Sequence, residues 1–121
     1  MRDWVVGLAG VFFFGMGVFA LVAPSALVRP FDLEVPTARG RSEVRAVYGG
    51  FGVAVAGMLW WAVFGAGEFG AGIVFAVGVA LGGMAFGRVV SRAFDAATSF
   101  YPIWFYFLVE AAGAALLIGV A

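Results

Sequence analysis

The chain has 121 residues, of which 64% are hydrophobic and 12% charged, and its formal net charge is zero. Soluble domains carry about 25% charged residues, and a domain of this size buries too little surface to hide so much apolar area from water, so lipid is the expected solvent. All the basic residues are arginine, and there is no Cys and no His, which removes disulfides, thiol and imidazole chemistry and the usual zinc, haem and iron–sulfur ligands; the zero charge gives no support for nucleic-acid binding.

Taken in chain order, four apolar runs stand out, at about 4–23, 43–64, 69–88 and 101–120. Each has about the 20 residues needed to cross a bilayer as a helix, and none alternates as a barrel strand would. The expected fold is all-α, a four-helix transmembrane bundle forming a single integral membrane domain over 1–121. The first run is uncharged from Trp4 to Val22. Arg2 and the small residues around 23–26 would suit a cleaved leader, but the apolar stretch is too long for a usual leader and Asp3 offsets Arg2, so the run is expected to remain as a span. Pro24 and Pro30 stop it.

A longer connection follows, with Pro30, Pro36, Arg29, Arg39 and Arg41. Ser42 is expected to cap the second helix, with Glu43 at its positive end. Arg45, Tyr48, Gly49 and Gly52 then fall at i, i+3, i+4 and i+7, on one face of an α-helix. A tight GAGE turn at 65–68 leads to the third run, in which Gly78/Gly82 and Gly83/Gly87 form two GxxxG patterns. Small residues let helices approach closely in lipid, so Gly49, Gly50, Gly52, Gly78, Gly82, Gly83 and Gly87 are expected packing positions, and the third helix is the candidate for the central one. Arg88 ends that run, with Ser91, Arg92 and Asp95 just beyond. Ser99 is expected to cap the fourth helix, with Pro102 in its first turn.

Glu110 is the only charge inside the fourth run. It lies roughly 12 Å beyond Pro102 at 1.5 Å per residue, well inside the hydrocarbon. A carboxylate at that depth must be protonated, paired or beside a wet cavity. Arg45, Arg88, Tyr48 and Tyr106 approach from the same end and are its candidate partners. The expected polar cluster is therefore Glu43, Arg45, Tyr48, Arg88, Ser91, Asp95 and Glu110. With Arg45 counted in the first connection, six of the seven arginines lie on the side of the two long connections. The positive-inside rule then puts those connections in the cytoplasm and both termini outside. Trp4, Trp60 and Trp61 would anchor the outer interface, and Tyr48, Tyr101 and Trp104 the inner one.

"SEVRAVYGG" at 42–50, "GRVVSRAFD" at 87–95 and the lone Glu in the last run resemble the domain-of-unknown-function family 4345, small bacterial four-span membrane proteins similar in layout to the DoxX-like group. Ala96 stands where the family pattern has a glycine after the Asp. The resemblance covers nearly the whole chain. It implies a fold and a topology, and it marks Glu43, Arg45, Tyr48, Gly49, Gly50, Gly87, Arg88, Ser91, Asp95 and Glu110, with no activity attached; the expected location is the bacterial inner membrane.

Three functions are compatible with these features. The first is a non-enzymatic accessory or binding subunit, which predicts a closed polar cluster. The second is a small transporter or channel component, proton-linked through Glu110, which needs a cavity reaching that residue. The third is a lipid- or quinone-associated membrane enzyme subunit, although no nucleophile–base pair is visible and no catalytic residue or metal ligand is assigned. The expected partners are the lipid bilayer, a protein partner or second copy, and a small apolar or anionic ligand. No cofactor is called for.

Overall fold

The computed structural model describes residues 1–121 as helices and their connections, without a strand. The first helix, α1, runs from Arg2 to Val22 and is uncharged after Asp3. Ala23 leaves the helical region and Pro24 cannot continue the ladder, so a short α2, Pro24–Val28, restarts with the proline in its first turn. A 3₁₀ turn, Arg29–Phe31, follows and stops at Asp32, which adopts a left-handed conformation (φ 58°). The second long helix begins as α3, Ala38–Val44, passes through a π-helical stretch, Arg45–Gly50, and continues as α4, Phe51–Phe64. Gly67, at φ 59°, makes the tight turn into α5, Phe69–Phe94. A second π-helical stretch, Phe100–Trp104, kinked at the extended Tyr101, leads into α6, Phe105–Val120.

Four of these helical runs are long and apolar enough to cross a membrane: Arg2–Val22, Ala38–Phe64, Phe69–Phe94 and Phe100–Val120. They run alternately up and down. Both termini and the short turn therefore share one end, the terminus end, and the two longer connections share the other, the loop end.

Three expected boundaries are corrected. The second helix starts at Thr37, whose hydroxyl accepts from the Gly40 N–H at 3.1 Å, and Ser42 lies inside the helix. Ser99 does stand at the start of the fourth run, but its hydroxyl donates to the Tyr101 carbonyl at 3.0 Å and caps no helical N–H. The third span runs past Arg88 to Phe94, because nothing from Val89 to Phe94 breaks a helix.

The helices pack as two tight pairs, α1 with α4 and α5 with α6, joined mainly along α4 and α5. This replaces the expectation of one central helix. In the first pair the backbones nearly touch. A Cβ on Gly52 would lie 3.1 Å from both the Gly17 Cα and the Phe13 carbonyl oxygen, and one on Gly17 would lie 2.7 Å from the Val53 nitrogen. Trp60 adds a hydrogen bond from its indole N–H to the Gly7 carbonyl at 3.2 Å, so it joins two helices. In the second pair, Gly78 lies against Leu117 and Ile118, and Gly82 faces Ala114. Gly83 and Gly87 meet nothing within 4 Å, and Gly50 meets only its own turn at Arg45. The second GxxxG thus points away from the bundle, one residue of rotation off the face that Gly78 and Gly82 present to α6.

The core draws on all four spans through Val6, Phe13, Val55, Ala56, Leu59, Val74, Val77, Leu81, Ala114 and Leu117. A smaller cluster, Ala20, Val28 and Val44, ties α2 to the loop ends of the first two spans. The outer surface is apolar, with Phe64, Phe69, Phe86 and Phe94 projecting outward. That polarity is inverted relative to a soluble protein and is what lipid requires.

Candidate functional site

Glu110 is the only buried polar or charged residue, at 5% exposure. The heptad-like spacing of Glu110, Ala114 and Leu117 places it on the face of α6 that packs on α5. Arg88 lies on the matching face of α5, after Val74, Val77, Gly78, Leu81 and Ala85. The two side chains meet across the seam. Arg88 Nε donates to Glu110 Oε1 at 2.7 Å, and Arg88 Nη2 donates to Oε2 at 2.9 Å. This is a bidentate pair with short, charge-assisted bonds. Both carboxylate oxygens are engaged, and no buried side-chain nitrogen or oxygen lacks a partner.

Aromatic rings close over the pair. The guanidinium carbon lies 5.7 Å from the Phe31 ring centre and 6.0 Å from that of Tyr106. Those rings are themselves 5.5 Å apart. Tyr106 also packs near Tyr101, at 6.3 Å, and Phe105, at 5.1 Å. Phe31 reaches this position because Val28 is held against Ala20 and Val44, and the 3₁₀ turn then folds the chain back. Phe31 was not among the expected site residues. Its one sequence signal is an aromatic between Pro30 and Asp32 in a connection otherwise rich in charge.

The remaining cluster residues go elsewhere. Arg45 does not turn towards Glu110; its Nε donates to the Leu21 carbonyl at 3.0 Å, satisfying one of the orphan acceptors at the end of α1. The cause is the rotation of the helix. Arg45, Gly49 and Gly52 share one face, as their spacing requires, and that face is turned to Leu21 and Gly17 of α1, not to the helix that carries Glu110. Tyr48 is 38% exposed. Glu43, Ser91 and Asp95 are exposed, and none of their side chains joins the ion pair. The structure therefore brings together Arg88, Glu110, Tyr106 and Phe31, with Tyr48 close enough to act on the Arg88 charge, and leaves Glu43, Arg45, Ser91 and Asp95 apart from them.

Two open apolar grooves lie at the terminus end, far along the helices from this pair. One, of about 320 Å³, lies between α1 and α4 beside Trp4, Trp60 and Phe64. The other, of about 390 Å³, lies between α4 and α5 beside Met58, Phe69 and Ala76.

Four apolar helices of spanning length, an apolar exterior and one buried ion pair define a small four-span helical membrane protein. The family model described as a domain of unknown function, DUF4345, matches residues 1–121, and the chain belongs to that family. No curated protein and no solved structure matches it.

Proposed function

We propose that this is a non-enzymatic accessory or binding subunit of a membrane assembly, with Arg88–Glu110 acting as a clasp that holds the third and fourth spans in register. The observation that carries the reading is that Glu110 has no free oxygen. Both Glu110 oxygens are taken by one guanidinium, the residue is 5% exposed, and Phe31 and Tyr106 flank the arginine. A carboxylate that carries protons needs a free oxygen and a wet path, and this one has neither oxygen free. A buried ion pair is also well suited to specifying one register among several, because a slipped helix would strand both charges in hydrocarbon.

The test is reconstitution in proteoliposomes with and without Glu110→Gln, alongside cross-linking in native membranes. The expected result is no proton flux from either protein and a partner of reproducible stoichiometry cross-linked to the wild type. A flux abolished by Glu110→Gln would replace this reading with the transporter one. Absence of any reproducible partner would count against an accessory role.

The arginine distribution supports an orientation with both long connections in the cytoplasm and both termini outside. The chain has no cysteine, so single cysteines report topology cleanly. A membrane-impermeant maleimide applied from outside is expected to label Glu68→Cys and to leave Ala97→Cys unlabelled; the opposite pattern would invert the assignment.

A further inference from the structure

A guanidinium has five N–H bonds, and the side-on pairing with Glu110 engages its Nε and Nη2. Nη1 donates to nothing within the chain. Since no sealed polar atom is left unpartnered, Nη1 opens to the outside. The arginine side chain is 21% exposed against 6% for the glutamate, so Arg88 is the open member of the pair. Phe31 and Tyr106 flank its opening.

Arg92 lies one helical turn nearer the loop end, on the same face of α5. It is exposed, and its one hydrogen bond is a long contact of 3.4 Å from Nη1 to the Asp95 backbone carbonyl. The Asp95 carboxylate is outside ion-pair distance of it, because Arg88–Glu110 is the only salt bridge in the protein. Within the ion-paired seam the charges of Arg88 and Glu110 cancel, and the charge of Arg92 remains unneutralised beside them.

We infer that Arg88 and Arg92 form a binding site for the phosphate of an anionic phospholipid, seated at the loop end of the α5/α6 seam. The inference rests on the membrane setting of the reading above but not on any protein partner. An N–H that faces hydrocarbon has no water to satisfy it, so an acceptor must come from the lipid or from solvent drawn inward. Arg88 precedes the end of α5 at Phe94 by six residues, roughly 9 Å at 1.5 Å per residue, a depth from which an arginine stem reaches the headgroup layer. A guanidinium fork matches phosphate oxygens. Val89, exposed and next to Arg88 on α5, offers apolar surface for an acyl chain. The unneutralised charge of Arg92 favours an anionic headgroup over a zwitterionic one.

The test uses the purified full chain in mild detergent. Native mass spectrometry would compare retention of phosphatidylglycerol and phosphatidylcholine added in equal amounts. One phosphatidylglycerol per chain is expected to be retained in preference. Arg92→Gln leaves the ion pair intact and is expected to lower that retention about fivefold, the factor that one arginine contributes near an anionic surface. Arg39→Gln, in the first connection, is expected to leave it unchanged. Equal retention of the two lipids would overturn the site. Equal losses for Arg92→Gln and Arg39→Gln would also overturn it, reducing the effect to diffuse surface charge. Displacement of the lipid by millimolar inorganic phosphate would overturn the lipid assignment in favour of a soluble phosphate. The readout involves no protein partner, so failure here and failure of the accessory reading are separately visible.

Discussion

The two helix pairs hold together by different means. Between α1 and α4 the contact is steric, with Gly17 and Gly52 bringing backbone against backbone, and the only polar links are Trp60 to Gly7 and Arg45 to Leu21, each donating to a main-chain carbonyl. Between α5 and α6 the approach at Gly78 is supplemented by a charge pair, Arg88 with Glu110. In lipid there is no hydrophobic drive to separate helices from solvent, so association depends on close contact and on polar links. The first pair uses contact over a long seam and tolerates local polar loss. The second concentrates its specificity at one point and is correspondingly vulnerable there.

Breaking that point gives the largest expected effect. Arg88→Ala strands Glu110 in the seam, and loss of one partner of a buried pair costs about 3–5 kcal/mol. Unfolding of the purified protein in mixed micelles would measure it. Arg88→Leu combined with Glu110→Leu is expected to recover most of the loss, since two apolar residues leave no charge unpaired. If the double variant is no more stable than either single one, the pair is not the clasp described here.

Next comes the steric seam. Gly52→Val would push a branched side chain into Gly17 and the Phe13 carbonyl, and over-packing of this kind costs about 1–3 kcal/mol. Thermal denaturation should show the drop, with Gly83→Val and Gly87→Val as internal controls that leave it out, because both glycines face open space. A loss at Gly83 equal to that at Gly52 would mean that the second GxxxG face is occupied in the assembled protein.

A smaller change is expected for Arg45→Gln, which weakens the bond to the Leu21 carbonyl while keeping a donor of similar reach. A net loss of about 0.5–1.5 kcal/mol is typical for one hydrogen bond, and an exposed one belongs at the low end. If Arg45→Gln were as damaging as Arg88→Ala, Arg45 would belong to the charge cluster after all. Smallest and most local is Thr37→Ala. Removal of its cap is expected to cost about 1 kcal/mol at most, visible as faster hydrogen exchange at Gly40 with no shift at Glu110.

The two strongest signals in the amino-acid order were the four apolar runs and Glu110, and both are local in origin. A run of some twenty uncharged residues can satisfy its backbone in lipid only as a helix, whatever surrounds it. A carboxylate in the middle of such a run demands a partner from the same end of the bundle, and Arg88 was one of the few cations available. Boundary signals were weaker. Thr37 and Ser42 are both plausible caps five residues apart, and the choice between them depends on whether the connection before them is held, as it is by the Val28–Val44 contact.

What the sequence by itself determined is the helical class, the number of spans, their alternation and the presence of one buried charge in need of an opposite, because hydropathy and helix length act within a single segment. What only the tertiary structure decided is which cation answers that charge and which glycines are pressed into use. Arg45 and Arg88 were equivalent by depth, but the helix face that carries Arg45 turns to α1, where the free carbonyl of Leu21 takes its donor. Gly78 and Gly83 were equivalent by motif, but only one faces a neighbour. Phe31 acquired its place over Arg88 through a fold of the first connection that no periodicity encodes. Each of these outcomes turns on the relative rotation of two helices, a property that belongs to the pair and to neither segment alone.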